Sequence, residues 1–282
     1  MTDVWTQIQE ATTFLQETTD FKPEIGMILG TGLGNLAESI DVVARVPYDD
    51  VPHFVQSTVQ SHQGQLVFGT LGGRRVVAMQ GRVHYYEGYT MKQITLPVRV
   101  MRALGAEVLV MSNAVGGMNP QLGPGDITVI TDHINLMGDN PLIGPNDDRL
   151  GVRFPDMSAP YNLDLLALAE STALELGMSL RRAVYCAVAG PTLETAAEYR
   201  FLRAIGADTV GMSIVPENIV AVHSGMKVLG LSAVTDACFP DNLHAADVDE
   251  IIRVAMEVEP RLCRLVEEIL KRMPAVSAPA GA

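Results

Sequence analysis

The chain has 282 residues, of which 48% are hydrophobic and 19% are charged, a composition typical of a globular protein with a full core. Its formal net charge of -13 disfavours nucleic acids and anionic membranes as partners. The charge does not exclude a small anionic substrate, because the donors inside a site decide that affinity.

Cysteine usage and the first residues favour a cytoplasmic location. The three cysteines, Cys186, Cys238 and Cys263, lie far apart and show neither a disulfide framework nor metal-binding spacing. We therefore expect thiols in a reducing compartment. Residues 1–10 have no basic segment followed by an apolar one, so no signal peptide is predicted. No apolar run approaches the ~20 residues that would span a membrane.

The first elements are an amphipathic helix over Asp3–Glu17 and a short apolar strand over Ile25–Leu29, followed by a glycine cluster at residues 30–34. A second helix is predicted over Leu33–Ile40. The cluster has the spacing G-x-G-x-G, which is neither the dinucleotide-binding pattern nor a P-loop. A tight turn and a phosphate-binding loop both fit it, and the Thr31 hydroxyl would suit the second.

A further strand over Arg75–Met79 leads into residues 81–89, where charged and aromatic side chains crowd together. Arg82 and His84 are two residues apart, so on extended backbone they point to the same side, as Tyr86 would. A guanidinium and an imidazole suit an anion such as phosphate. The alternative is a strand end with solvated polar residues.

Strands and helices alternate along the rest of the chain, and residues 112–120 form a second predicted glycine loop after a strand. Residues 138–156 form a long irregular loop, a kind that is often functional. The sequence thus predicts one α/β domain over residues 1–274, with a mixed, largely parallel sheet flanked by helices, and a disordered tail over residues 275–282. The remaining predicted strands are Gln65–Phe68, Val108–Met111, Ile127–Thr131, Arg182–Val188 and Lys227–Val234, and the helices are Met91–Leu104 with a kink or break at Pro97, Leu163–Leu176, Ala196–Ile205, Val215–His223 and Val248–Met273.

Six separate motifs carry a family resemblance that covers Ile25 to Arg272. They are LGTGLG at 29–34, GRVHYYEGY at 81–89, NAVGGMN at 113–119, DHINL at 132–136, GPTLET at 190–195 and GMSIVPE at 211–217. In combination they resemble the trimeric purine nucleoside phosphorylases, whose superfamily also holds the methylthioadenosine phosphorylases.

The resemblance implies phosphorolysis of purine nucleosides or deoxynucleosides to the free base and (deoxy)ribose 1-phosphate, as in purine salvage. It implies that Asp236, Glu194 and His84 are catalytic. The phosphate site would consist of Thr31, His62, Arg82, His84, the Ala114 backbone N–H and Ser213. The nucleoside site would consist of Tyr86, Phe154, Leu193, Glu194, Met212, Thr235, Asp236 and Val248.

The family likeness also implies a homotrimer in which Phe154 reaches the ribose pocket of a neighbouring subunit. It implies no metal and no organic cofactor, with inorganic phosphate as the co-substrate. Such chemistry needs positioning and electrostatic stabilisation of a cationic sugar, without an activated serine or cysteine.

Asp236 departs from the family pattern, which has asparagine at the position that donates to purine N7 and O6. An ionised Asp236 only accepts, which suits a 6-amino group, whereas a protonated Asp236 could donate to N7. Methylthioadenosine phosphorylases have aspartate here and a valine near Val248, where the ordinary phosphorylases have a histidine, a role that His244 could also take. Glu194 favours the nucleoside phosphorylases. Leu193 stands where relatives often have an aromatic residue.

We therefore predict a purine nucleoside phosphorylase with a base range that includes 6-aminopurines. The nearest alternatives are a 5'-methylthioadenosine phosphorylase and an adenosine-accepting phosphorylase. A dinucleotide-binding oxidoreductase, a non-catalytic nucleoside-binding protein and a nucleoside hydrolase are the alternatives from other classes. The glycine spacing disfavours the first of these, and an intact phosphate site disfavours the second.

Overall fold

Strands and helices alternate through most of the chain in the computed structural model, which describes residues 3–30, 34–58 and 63–274. The predicted tail over residues 275–282 and the predicted site residues Thr31 and His62 lie outside the described residues. The strands are β1 Ile25–Leu29, β2 Asp41–Pro47, β3 Gln65–Leu71, β4 Arg74–Gln80, β5 Val108–Gly117, β6 Ile127–Leu136, β7 Leu180–Val188, β8 Thr209–Gly211 and β9 Lys227–Ala237. The helices are α1 Val4–Thr19, α2 Met91–Leu104, α3 Leu163–Glu175, α4 Ala196–Ala204, α5 Val215–His223 and α6 Val248–Arg272.

The described strands form one mixed sheet in the order β2-β3-β4-β1-β5-β8-β7-β6-β9. β9 also pairs with β5, so β5, β8, β7, β6 and β9 close into a ring from which the other strands extend. Pairing is parallel for β1 with β4 and β5, for β5 with β9, and for β7 with β6 and β8. It is antiparallel for β2 with β3, β3 with β4, β5 with β8 and β6 with β9. The predicted fold class, a single α/β domain with a mixed sheet, is confirmed.

Apolar residues explain why the central strands are buried. All five residues of β1 are buried, as expected for a parallel strand with cover on both faces. Helices supply that cover: α1 packs on α2 and α2 on α5, while α3 packs on α6 and α6 on β9. A second, smaller cluster of buried side chains contains Met118, Cys186, Tyr199, Leu202, Ala207, Val210 and Cys238.

The predicted glycine loop at residues 112–120 is wrong in its first half, because β5 continues to Gly117 and its residues 108–117 pair with β9. Ser112 and Asn113 are buried in this extension, and Ser232 Oγ donates to Asn113 Oδ1 over 2.7 Å. Since Asn113 finds a partner on the neighbouring strand and the backbone pairing continues, the polarity of these residues does not end the strand. β9 likewise extends past its predicted end at Val234 to Ala237.

Two helical predictions also differ from the structure. The predicted helix at Leu33–Ile40 is a 3-10 helix over Gly34–Ser39. Of the kink or break predicted at Pro97, the break does not occur, because α2 runs from Met91 to Leu104 with Pro97 inside it. A buried apolar face holds α2 against its neighbours, which outweighs the local cost of one proline.

The loop at residues 138–156 contains no helix or strand, as predicted. Among the described residues, no helix is long and apolar enough to cross a membrane.

Candidate active site

A cavity of about 240 Å³ lies where several strands end, and most of the predicted site residues line it. β4, β7 and β8 each end shortly before a residue that lines the cavity. β5 and β9 contribute lining residues from their C-terminal ends. This is the edge at which ligands gather in α/β sheets. The predicted residues that line it are Arg82, His84, Tyr86, Ala114, Leu193, Glu194, Met212, Ser213, Thr235 and Asp236.

Arg82 brings a buried positive charge to this cavity. The residue is 1% exposed, and its Nη2 donates to the carbonyl oxygen of Ser112 over 2.7 Å. Its Nη1 lies 3.6 Å from Oε1 of Glu217, a buried carboxylate on α5. Tyr48 Oη donates to the Gly81 carbonyl over 2.7 Å and thereby fixes the turn that precedes Arg82. The guanidinium is therefore held in place before any ligand arrives.

His84 and Tyr86 share the cavity wall, but not through the extended backbone that the sequence predicts. Residues 85–87 form a single 3-10 turn, which stacks the two rings with their centroids 4.7 Å apart. Glu87 Oε1 accepts from the His84 backbone N–H over 2.6 Å and lies 3.2 Å from His84 Nδ1. Burial raises the pKa of Glu87, but hydrogen bonds from His84 and Thr58 outweigh it and lower this pKa to about 2. The carboxylate thus stays charged and orients His84.

Ser213 lies between β8 and α5 on a firmly held backbone. Its N–H donates to Tyr185 Oη over 3.1 Å, and Tyr185 Oη donates to the Ser213 carbonyl over 3.0 Å. Ile214 follows with a φ of +67°, which is unfavourable for a β-branched residue and is tolerated only where surrounding contacts enforce it. α5 begins at Val215, so Ser213 stands beside a helix N-terminus, where anions are favoured.

A bulge in β9 presents Thr235 and Asp236 to the cavity. Val234 pairs with Val115 and Asp236 pairs with Gly116, so Thr235 is the extra residue. Thr235 Oγ1 donates to Asp236 Oδ1 over 2.9 Å, and Cys238 Sγ donates to Asp236 Oδ2 over 2.9 Å.

Gly116 leaves the space that these groups occupy. A Cβ at this position would lie 2.5 Å from Cys238 Sγ and 3.4 Å from Asp236 Oδ2. Only glycine therefore allows β5 to pair opposite Asp236 without displacing the thiol.

Glu194 is a second carboxyl group in the same cavity. Burial raises its pKa, a hydrogen bond from Tyr199 opposes that shift, and the charge of Asp236 adds to it. Tyr199 and Cys238 line the same cavity. The pKa values of Tyr199 and Cys238 are raised as well, mainly by burial, so both are neutral at physiological pH. The cavity therefore has a cationic part at Arg82 and an acidic part at Glu194 and Asp236.

Val248 does not line this cavity, and its contact with the nucleoside stays a prediction. Its side chain is 61% exposed at the first position of α6. Ile251, about one helical turn further on, lines this cavity and an adjoining one of about 790 Å³. His244 lines only the adjoining cavity. Val248, at the start of α6, therefore lies about one helical turn before the part of the helix that lines the cavity.

Phe154 also lies away from the cavity of its own chain. It is 85% exposed on the long loop, and the guanidinium of Arg153 lies 5.6 Å from its ring centre. Its contact with a neighbouring subunit stays a prediction.

Some residues that shape the site were not predicted from the sequence. The role of Glu87 could have been inferred from the sequence, because it stands three residues after His84, the spacing of a capping box. No sequence pattern points to four other residues, since their roles depend on segments that are distant in the chain: Glu217, Tyr199, Cys238 and Ile251. Within the described parts of the chain, no group of three or more His, Cys, Asp or Glu residues is placed to hold a metal ion.

Comparison with known proteins agrees with this geometry. Residues 24–271 match the model of the phosphorylase superfamily. Purine nucleoside phosphorylase 1 of Bacillus subtilis (strain 168) is 50% identical over 264 residues, which cover 94% of this chain and 97% of the relative.

Solved structures lead to the same family. Isoform 2 of purine nucleoside phosphorylase from Schistosoma mansoni, in complex with cytosine and ribose-1-phosphate, has a TM-score of 0.93 and 39% identity, covering 96% of this chain and 98% of that one. Schistosoma mansoni purine nucleoside phosphorylase in complex with adenosine has a TM-score of 0.91 and 38% identity, covering 96% and 98%. The chain therefore belongs to the phosphorylase superfamily and, within it, to the purine nucleoside phosphorylases.

Proposed function

We propose that the protein cleaves purine nucleosides and deoxynucleosides with inorganic phosphate, releasing the purine base and (deoxy)ribose 1-phosphate for purine salvage. The observation that carries this proposal is a single cavity with a cationic part for phosphate and an acidic part for the base. A relative of the same fold holds ribose-1-phosphate, the product of such a reaction.

The residues suit each end of the substrate. Arg82, His84, the Ala114 N–H and Ser213 would hold phosphate, together with Thr31 and His62 from the resemblance. Tyr86 and Met212 line the same cavity, and from the resemblance they would contact the ribose. Leu193, Glu194, Thr235 and Asp236 would contact the purine.

The reaction follows from this arrangement. The bond between C1' and the purine nitrogen breaks, its electron pair leaves with the base, and the sugar becomes cationic. Phosphate, already held on the other side of the sugar, stabilises that cation and forms the new bond to C1'. Catalysis is then mainly positioning and electrostatic stabilisation, to which His84 contributes at the phosphate and Glu194 and Asp236 at the leaving base.

We propose a base range that includes 6-aminopurines as well as 6-oxopurines. Both oxygens of Asp236 accept hydrogen bonds from Thr235 and Cys238, which suits the ionised form that accepts from a 6-amino group. A relative of the same fold binds adenosine. Methylthioadenosine phosphorolysis is the second candidate, because Val248 leaves no histidine at the start of α6.

The remaining parts of the proposal are a homotrimer in which Phe154 completes a neighbour's site, no cofactor besides the co-substrate phosphate, and a cytoplasmic location. The exposed aromatic ring on the long loop supports the first of these. The unpaired thiol of Cys238, which donates to Asp236, supports a reducing compartment.

The first test is release of base from inosine, guanosine, adenosine and 5'-methylthioadenosine, each with and without phosphate. Phosphate-dependent cleavage of inosine or guanosine supports the proposal. Cleavage without phosphate would indicate a hydrolase, activity on 5'-methylthioadenosine alone would favour the second candidate, and absence of cleavage would favour a binding protein.

Asp236→Asn tests the base range. An amide can donate to O6 and N7, so we expect the ratio of adenosine to inosine kcat/KM to fall about tenfold, the value of one hydrogen bond to a charged group. An unchanged ratio contradicts a role for Asp236 in base preference.

A further inference from the structure

The base end of the candidate active site opens into the adjoining cavity of about 790 Å³. The two cavities share all four residues that would contact the purine, which are Leu193, Glu194, Thr235 and Asp236. Among the described residues, none of those assigned above to phosphate or to the ribose lines the adjoining cavity. The additional space therefore lies beyond the base and not beyond the sugar.

Asp236 indicates which part of the purine faces this space. In the proposed function its carboxylate accepts from a 6-amino group, and the residue lines both cavities. Ala237, the next residue, is exposed and lines only the adjoining cavity. A group attached to the 6-amino nitrogen would therefore extend past Asp236 into the adjoining cavity.

The lining of the adjoining cavity is partly apolar and partly acidic. Asp247 and Glu250 add two acidic side chains to those of Glu194 and Asp236, and the described residues that line it include one histidine but no lysine or arginine. The guanidinium of Arg253 lies 2.6 Å from Glu250 and offsets part of this charge from outside the cavity. Apolar groups and cations suit such a lining, whereas anions do not. The apolar residues that line only this cavity are Pro124, Ala237, Leu243, Ala245, Ala246 and Val254.

A single substituent on the 6-amino nitrogen leaves the contact with Asp236 possible. The substituted nitrogen keeps one N–H, and an ionised carboxylate can accept it. Thr235 Oγ1 and Cys238 Sγ each donate to one oxygen of Asp236 over 2.9 Å, so this carboxylate is held in place at the opening between the two cavities.

We propose that the adjoining cavity is a subsite for a group on the 6-amino nitrogen, so that the protein cleaves 6-aminopurine nucleosides that carry one uncharged or cationic substituent there. The inference rests on the proposed phosphorolysis. The bond between C1' and the purine nitrogen breaks, and its electron pair leaves with the base. A phosphate oxygen forms the new bond to C1', and the proton of hydrogen phosphate ends on the base. The products are the substituted adenine and ribose 1-phosphate.

The first test is the phosphate-dependent kcat/KM of the wild type for adenosine and three derivatives with an N6 chain of similar length. N6-butyladenosine and N6-(4-aminobutyl)adenosine should stay within about tenfold of adenosine, because their chains enter open space. N6-(3-carboxypropyl)adenosine should fall about fivefold below the aminobutyl derivative, the upper end of what an exposed charge contributes. N6,N6-dimethyladenosine has no N–H left, so it should fall about tenfold below N6-methyladenosine.

Filling the adjoining cavity tests where the substituent lies. In Ala237→Phe the new ring would occupy the space next to Asp236, so kcat/KM for N6-butyladenosine should fall at least about tenfold relative to that for adenosine. Ala204→Phe is a matched control, because this exposed alanine near the end of α4 lines neither cavity. Its ratio should equal that of the wild type, and melting temperatures show whether both variants are folded.

Cleavage of the butyl and aminobutyl derivatives, with a selective loss in Ala237→Phe, supports the inference. Cleavage of adenosine but of no N6-substituted nucleoside, equal cleavage of the carboxypropyl and aminobutyl derivatives, or equal ratios in the two variants would each overturn it. Cleavage of inosine without adenosine would also overturn it while leaving phosphorolysis established. Absence of phosphate-dependent cleavage of any purine nucleoside would instead contradict the proposed function.

Discussion

At the residue scale, a carboxylate beside the cavity controls the imidazole inside it. Glu87 accepts from the His84 backbone N–H, lies 3.2 Å from its Nδ1, and accepts from Thr58 Oγ1 over 2.7 Å. These contacts tie the loop around Thr58 to the turn that holds His84 and Tyr86. Glu87 is therefore a positioning residue whose charge stabilises the fold and the site together.

The stability contributed by Glu87 depends on pH. Its pKa in the folded protein is lowered from 4.5 to about 2, so its contribution is complete above pH 4.5 and is lost as the pH falls towards 2. We expect the wild type to exceed Glu87→Gln in free energy of unfolding at neutral pH, with the difference shrinking over this acidic range. Urea titrations at several pH values measure it, and a difference independent of pH would contradict the argument.

Gly116→Ala tests how closely β5 approaches the base pocket. The new Cβ would lie 2.5 Å from Cys238 Sγ, so we expect a loss of about 1–3 kcal/mol in stability from crowding, with reduced activity. Gly123→Ala is a matched control, because a Cβ there meets nothing within 4 Å. Equal behaviour of the two variants in chemical denaturation and in the phosphorolysis assay would argue against the close approach.

At the element scale, α5 joins the cavity to the segment that follows the long loop. Glu217, near its first turn, faces Arg82, and Asn218 Nδ2 donates to the Pro160 carbonyl over 2.8 Å. Both side chains are buried, so this short helix is held by polar contacts as well as by apolar packing. Its placement beside Ser213 connects the fold to the anion site.

Glu217→Ala would leave the Arg82 charge buried without this carboxylate. We expect a loss of about 3–5 kcal/mol in the free energy of unfolding, as is usual when one partner of a buried ion pair is removed. Glu170→Ala breaks an exposed pair with Arg182 and should cost less than about 1 kcal/mol. Guanidinium denaturation measures the free energy of unfolding of both variants. Similar losses would show that the buried ion pair contributes no more to stability than the exposed one.

At the scale of the whole molecule, the long loop carries an aromatic ring that its own chain does not bury. Phe154 is 85% exposed, whereas the cavity of the same chain is lined by residues from other segments. Contact with a second copy of the chain, as proposed above, would remove this ring from water.

Mixing two defective chains tests whether Phe154 serves a neighbour. Phe154→Ala should raise the KM for the nucleoside by about tenfold, which corresponds to the free energy gained when such a side chain is buried. Arg82→Ala should lose phosphate binding. Co-expressed chains form some sites with Arg82 from one chain and Phe154 from the other. Activity above that of either variant alone supports the shared site, while the mere average of the two contradicts it.

The order of elements could be predicted because their signals are local. The apolar strand over Ile25–Leu29 and the helices over Met91–Leu104 and Val215–His223 have the predicted bounds. The ends of β5 and β9 could not be predicted, because Ser112, Asn113 and Asp236 are polar residues and the pairing that continues through them joins segments distant in sequence. Within the candidate site, side chains in family motifs could be predicted, whereas Tyr199, Cys238, Glu217 and Ile251 could not.

The sequence alone determined the alternation of strands and helices, the family, and most of the residues that line the cavity, because each of these depends on local pattern or on motifs. Only the tertiary structure decided that β9 pairs with β5 as well as β6, that Ile251 rather than Val248 lines the cavity, and that the Cys238 thiol donates to Asp236. These features depend on which distant segments meet, and a buried polar group reveals its partner only when the chain is folded.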